Sequence, residues 1–164
     1  MPGEPAHAAS EQETLRTAML AAHNQERATL GLSPLEWSDA LATEAASNAK
    51  VLAAARDPIL AHLQMNNGKP RGENLWLGTR GAFTFADMAE GWLEERSLYV
   101  NGVMPNISSS GNWADVGHYS QMIWRTTTRI GCAVASSAEM DILVCRYDPP
   151  GNIYGRNAIS GERR

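Results

Sequence analysis

The stretch DVGHYSQMIWRTTTRIGCAV (residues 115–134) changes character partway along. Up to about Trp124 it reads as an amphipathic helix with His118 near its head; from Ile130 it reads as a strand carrying a cysteine. Downstream, RIGCAVAS and MDILVCRYD pair well as an antiparallel hairpin turning near residues 136–140. That register sets Cys132 opposite Cys145, so a cross-strand disulfide is geometrically accessible. Closing so short a loop stabilises a fold by roughly 3 kcal/mol on the chain-entropy model. These are the only two cysteines, too few for a disulfide-dense mini-domain and wrongly spaced for a zinc ribbon. One structural disulfide, formed in an oxidising compartment, is the first reading; a pair of free buried thiols is the second.

Upstream of this stretch the pattern is helical. Ser10 and Glu13 have capping-box spacing ahead of TLRTAMLAAHNQERATLG, which Gly31 would stop. Ser38 caps a second, alanine-rich helix with Leu41, Ala45, Ala49 and Leu52 as its inner stripe. The segment RDPILAHLQMNNGKPRGENLWLGTRGAF holds two prolines and several glycines, and predicts a long irregular stretch with one short strand at LWLG. TFADMAEGWLEERSLYV predicts a third helix capped by Thr84. Helices around an antiparallel sheet, without a βαβ rhythm, make the class α+β. The expected organisation is a flexible tail at 1–12, one domain at 13–157 and a short tail at 158–164.

The chain of 164 residues is 43% hydrophobic and 20% charged, which suits one domain with its own core. A net charge of -4 argues against a nucleic-acid surface. No run of 18 apolar residues is present, so no transmembrane segment is expected. The first residues, MPGEPAHAASEQ, lack the apolar core of an intact signal peptide. No phosphate-binding glycine loop, HExxH or GxSxG occurs. Of the four histidines, His7 falls in the tail, and His62 and His118 admit three roles: metal ligand, general base or satisfied polar group at a core edge. Spacing alone does not join them. Glu73 and Glu95 are each ordinary solvated charges unless they are buried beside histidine, where a carboxylate orients the ring.

GHYSQMIW (117–124) resembles the first signature of the CAP superfamily: cysteine-rich secretory proteins, insect venom antigens and plant pathogenesis-related proteins. VCRYDPPGNIYG (144–155) resembles the second signature, HNQER (23–27) the first-helix motif, and GENLW (72–76) the glycine-glutamate-asparagine motif. All four occur in the family's order, and WLEERSLY falls where the family has its tryptophan-to-glutamate helix. The resemblance covers about residues 14–157. It implies a three-layer α-β-α sandwich around a central antiparallel sheet, and a surface cavity lined by two histidines and two glutamates. Matched residue by residue, these are His62, His118, Glu73 and Glu95.

The resemblance further implies that His62 and His118 hold zinc or another divalent cation, with Glu73 and Glu95 ligating through water or orienting the rings. Two imidazoles are a weak set, so the affinity is expected to be modest and to fall as they protonate. The competing reading is a metal-free polar cluster. His23, Asn24, Arg27 and Asn74 are expected to be structural, and Tyr119, Trp92, Trp113 and Trp124 to be core or cavity wall. Ser120 lacks an elbow motif for a nucleophile. With two cysteines and no extension the chain looks like the minimal bacterial or fungal type. Asn106 heads a formal glycosylation sequon. A secreted or periplasmic module that binds lipid, sterol or another small ligand, or serves in defence, is the leading expectation. A protein-interaction module with a vestigial cavity, and a metal-dependent hydrolase with Glu95 or Glu73 as general base, are the alternatives.

Overall fold

The computed structural model describes residues 4–59 and 71–163, the side chains of 4–10 and 13 excepted; His62 therefore lies outside the described residues. The first helix, α1 (Glu4–Thr29), starts earlier than the Ser10–Glu13 pair predicts. Both residues fall inside the helix, because the alanine- and glutamate-rich run around them propagates back to Pro5, which a first turn tolerates. Its end is a two-bond cap: the Gly31 amide donates to Ala28 (3.1 Å) and the Leu32 amide to Arg27 (2.9 Å). Gly31 makes this possible at φ +68. After a two-residue strand β1 (Glu36–Trp37), α2 (Asp39–Ala54) starts at Ser38, whose side chain accepts from the Leu41 amide.

β2 (Gly72–Thr79) is twice the length that LWLG suggests and takes in Glu73 and Asn74, which the sequence reading left in irregular chain. The third helix, α3 (Phe85–Leu93), carries a full capping box between Thr84 and Asp87. It then tightens into a 3-10 turn (Glu94–Ser97) that carries Glu95. The fourth, α4 (Gly117–Met122), is shorter than the sequence suggests and follows another 3-10 turn (Trp113–Val116) capped by Asn112. It ends at Ile123, whose amide bonds back to the Tyr119 carbonyl (3.2 Å). β3 (Arg129–Ser136) and β4 (Met140–Asp148) form the expected hairpin.

Strand order is β1-β3-β4-β2; β3, β4 and β2 pair antiparallel, whereas the two-residue edge strand β1 joins β3 in parallel. Alternation along the strands sends two different sets of side chains to the two faces. Ile130, Cys132, Leu143, Cys145 and Tyr147 meet α1, α3 and α4 with Leu15, Met19, Trp92 and Met122. Ala133, Ile142 and Val144 meet the small residues Ala45 and Ala49 and Leu52 of α2. Helix α2 can lie this close because of Gly131, where a Cβ would come 2.2 Å from the Ala42 nitrogen. The layers are thus α-β-α. Cys132 and Cys145 are directly paired in register and joined by a disulfide, which selects the first of the two cysteine readings. Among the described residues, no helix is long and apolar enough to cross a membrane.

Candidate functional site

His118 is the second residue of α4, and Glu95 sits behind it. One carboxylate oxygen of Glu95 accepts the His118 and Tyr119 amides (3.0 and 3.2 Å), capping a helix start that lacks a side-chain cap of its own. The other lies 2.9 Å from His118 Nδ1. A carboxylate only accepts, so Nδ1 carries a proton, and in the neutral ring the lone pair is on Nε2. The indole of Trp92 stacks on the imidazole, ring centroids 5.9 Å apart and 15° from parallel. The ring is thereby held in one orientation, with its side chain 40% exposed. It faces a cleft of about 220 Å³ whose other walls include Glu73, Asn74, Trp113, Gly117 and Asn152.

Beneath the cleft lies a buried polar network. Asn74 donates to the His118 carbonyl and to the Tyr147 hydroxyl, both at 3.1 Å. His23 Nδ1 donates to the Met19 carbonyl (2.7 Å), so its Nε2 must accept, and the Tyr147 hydroxyl is the donor at 2.8 Å. The Tyr147 hydroxyl thus accepts from Asn74 and donates to His23. Burial pushes the His23 pKa from 6.5 down to about 4, against the raising effect of the Met19 bond, and Arg27 lowers it further. His23 is therefore neutral at ordinary pH. Burial likewise drives the Tyr147 hydroxyl well above its usual range. Arg27, also buried, donates to the carbonyls of Ser33, Met122, Trp124 and Thr127, tying α1 to the end of α4. Asn24 exchanges two hydrogen bonds with the backbone of Leu35 (2.7 and 3.1 Å).

Of the four residues matched to the family cavity, the structure brings two into contact, His118 and Glu95. Glu73 shares the cleft wall with His118, but its carboxylate emerges on the α2 face of the sheet, where it accepts from Asn48 (2.7 Å) and pairs with Arg146 (3.5 Å). Strand alternation is the signal that could have shown this, because Glu73 and Asn74 are neighbours on β2 and must diverge. His62 is outside the described residues. Among the described residues, no group of three or more His, Cys, Asp or Glu is assembled for a metal ion. The donor chemistry nevertheless fits a cation in part: a neutral, carboxylate-backed imidazole with Nε2 on a polar cleft is what a divalent metal requires of a histidine. Glu95 is poorly placed as a general base, since both of its oxygens hold donors of α4. Ser120 is fully buried and bonded to Gly117 and Asn152, which removes it as a nucleophile. Asn152 and Trp113 are cleft residues that the sequence reading did not single out for that wall or, for Trp113, left between core and wall.

A second concavity lies at the other end of α3. Thr14 and Ala18 of α1 and Phe83, Thr84, Phe85 and Ala86 enclose about 390 Å³ with walls that are almost wholly carbon. Phe83 is 45% exposed and meets Trp76 edge to face, centroids 5.0 Å apart.

Residues 20–147 match the family described as CAP, the cysteine-rich secretory protein family. Pathogenesis-related protein 1C of Nicotiana tabacum is 37% identical over 139 residues, covering 84% of this chain and 77% of the relative. Repressed by EFG1 protein 1 of Candida albicans is 36% identical over 145 residues, 87% of this chain and 49% of the relative. The crystal structure of NaASP2 with Zn2+ superposes with a TM-score of 0.70 at 23% identity, over 93% of this chain and 87% of the other. That of MpPR-1i superposes with a TM-score of 0.59 at 20% identity, over 92% and 97%. Motif order, the α-β-α sandwich and these relatives agree: the chain belongs to the CAP family and is similar to the pathogenesis-related 1 proteins.

Proposed function

We propose that this chain works outside the cell as a binder of a small apolar ligand, a lipid or a sterol, seated between α1 and the start of α3. The observation that carries this reading is the groove at Phe83: about 390 Å³, walled by carbon and left open to solvent. Its size falls within the range of small-ligand sites, roughly 300–1,000 Å³. An exposed aromatic over such a space leaves apolar area in water that a hydrophobic ligand would cover. An extracellular setting accords with the Cys132–Cys145 disulfide and with the secretory description of the family. The test is saturable uptake of a fluorescent sterol and a fluorescent fatty acid by the wild type and by Ala18→Trp, which fills the groove. The expected result is saturable binding of at least one probe, weakened at least tenfold in the variant. Absence of saturable uptake would remove the proposal and favour a protein-interaction role.

A second reading is favoured by the His118 pose: a weak divalent-cation site in the cleft. His118 through Nε2, together with His62, would hold the ion, and Glu95 would keep His118 in the competent tautomer. The ion would bring positive charge to a polar cleft and a place for bound water. Calorimetry with zinc checks it; His118→Ala and His62→Ala should each weaken binding at least tenfold.

A further inference from the structure

The segment after β4 folds back on itself, with Gly161 turning the chain at φ +74. There an isolated antiparallel bridge sets Arg156 directly opposite Arg163. Side chains opposed in this way start roughly 5 Å apart, and like charges so placed repel. Together with Ile153, Tyr154 and Gly155 the two arginines line a concavity of about 220 Å³. Among the described residues, neither guanidinium has a carboxylate within ion-pairing distance, whereas those of Arg71, Arg96, Arg129 and Arg146 each do. The nearest acid in sequence, Glu162, pairs through its carbonyl with the Asn157 amide and lines a separate cleft with Asn101, Gly102, Val103, Asn157 and Ser160. Alternation along the bridge puts it on the opposite side from the arginines.

The backbone that presents the pair is firmly held. The Gly155 amide donates to Met104 (3.0 Å), the Met104 amide to Arg156 (2.9 Å) and the Gly161 amide to Asn157 (2.9 Å). Gly155 sits at φ +80, which lets the chain turn there. Tyr154 is 63% exposed beside the pair and packs edge to face on Trp113. In a chain of net charge -4, an unneutralised pair of arginines is a local feature and does not reflect a generally basic surface.

We propose that Arg156 and Arg163 form a binding site for a tetrahedral oxyanion, a phosphate or phosphate monoester, bridged between the two guanidinium groups. Planar guanidinium forks match the oxygen spacing of phosphate, and the anion converts the cross-strand repulsion into two charge-assisted contacts. The site is separate from the His118 cleft and from the groove, and does not depend on what either binds.

Two sources of the anion are distinguishable: free phosphate and a phosphate-bearing lipid headgroup. The intact chain is titrated with inorganic phosphate while the side-chain Nε–H resonances of arginine are followed by NMR, at low and high sodium chloride. Sedimentation with phosphatidic acid vesicles, against phosphatidylcholine vesicles, forms the second arm. Arg156→Gln, Arg163→Gln and the double variant are run in both. The expected result is saturable phosphate binding that weakens with salt, falls at least fivefold in each single variant and is lost in the double variant. Phosphate should also raise the melting midpoint of the wild type and leave that of the double variant unmoved. Vesicle binding that needs both arginines would name the headgroup as the source, and phosphate binding alone the free anion. If neither probe binds saturably, or if binding survives the double substitution, the assignment is overturned.

Discussion

The two concavities at the ends of α3 are built on opposite plans. At the Glu95 end the polar side chains of the wall are held by hydrogen bonds: His118 by Glu95, Asn74 by Tyr147, and Asn152 by Gly117 (2.8 Å). Under that cleft, Arg27 and His23 extend the network into the core. At the Phe83 end the walls are almost wholly carbon. Hydrogen bonds are directional and a hydrophobic wall is not. The cleft is therefore suited to a ligand of fixed geometry, and the groove to apolar ligands that share little beyond size. A further contrast lies within the cleft region itself. His23 and His118 both donate through Nδ1, yet Nε2 of His23 is bonded to Tyr147 whereas the His118 ring lines the cleft.

The comparison can be broken most severely at Arg27. Replacing it with Met removes the side-chain donors from four carbonyls, three of them in buried contacts, and a loss of about 3 kcal/mol in urea-unfolding stability is expected. Phe83→Ala, at the open groove, should cost under about 1 kcal/mol because much of its ring is already in water. A similar result for both would erase the distinction.

The next effect is a pH dependence. His23 has a folded pKa of about 4, below its unfolded value of 6.5, so between these the unfolded state binds more protons. Its contribution is fully present above pH 6.5 and is lost as pH falls toward 4, amounting to about 3 kcal/mol. Unfolding curves across that window should show the fall in wild type and in His118→Gln, and lack it in His23→Gln, whose baseline stability will be lower.

Glu95→Gln sharpens the picture at smaller scale. It keeps the shape but removes the charge that caps α4, so a loss of about 1 kcal/mol and faster hydrogen exchange at the His118 and Tyr119 amides are expected. His118→Ala should cost under about 1 kcal/mol in stability, because its ring is partly exposed and what is lost is one donor to Glu95 and the cover over Trp92.

Much of this was legible in the sequence, and the limits have physical causes. The hairpin and its disulfide followed from strand period and the spacing of Cys132 and Cys145, because register is arithmetic once the turn is placed. Ser38 and Thr84 were readable as caps because capping is local. The start of α1 was misplaced because Ser10 and Glu13 also propagate helix, and a capping motif has no force where the preceding residues are themselves helix formers. The parallel pairing of β1 with β3 is a contact between segments about ninety residues apart, and two residues carry no periodicity to announce it. In the cleft, the motif resemblance located His118 and Glu95 together but did not separate the faces of Glu73 and Asn74. Until β2 was known to begin at Gly72, no alternation could be applied to them.

The central claim is that an apolar ligand occupies the groove without help from the cleft. Its most direct test is the dissociation constant of a fluorescent sterol or fatty acid for wild type, Ala18→Trp and His118→Ala, measured with and without zinc. The account predicts saturable binding that Ala18→Trp weakens at least tenfold and that neither His118→Ala nor zinc changes by more than about twofold. Binding that survives Ala18→Trp but is lost with His118→Ala would contradict it and place the ligand in the cleft.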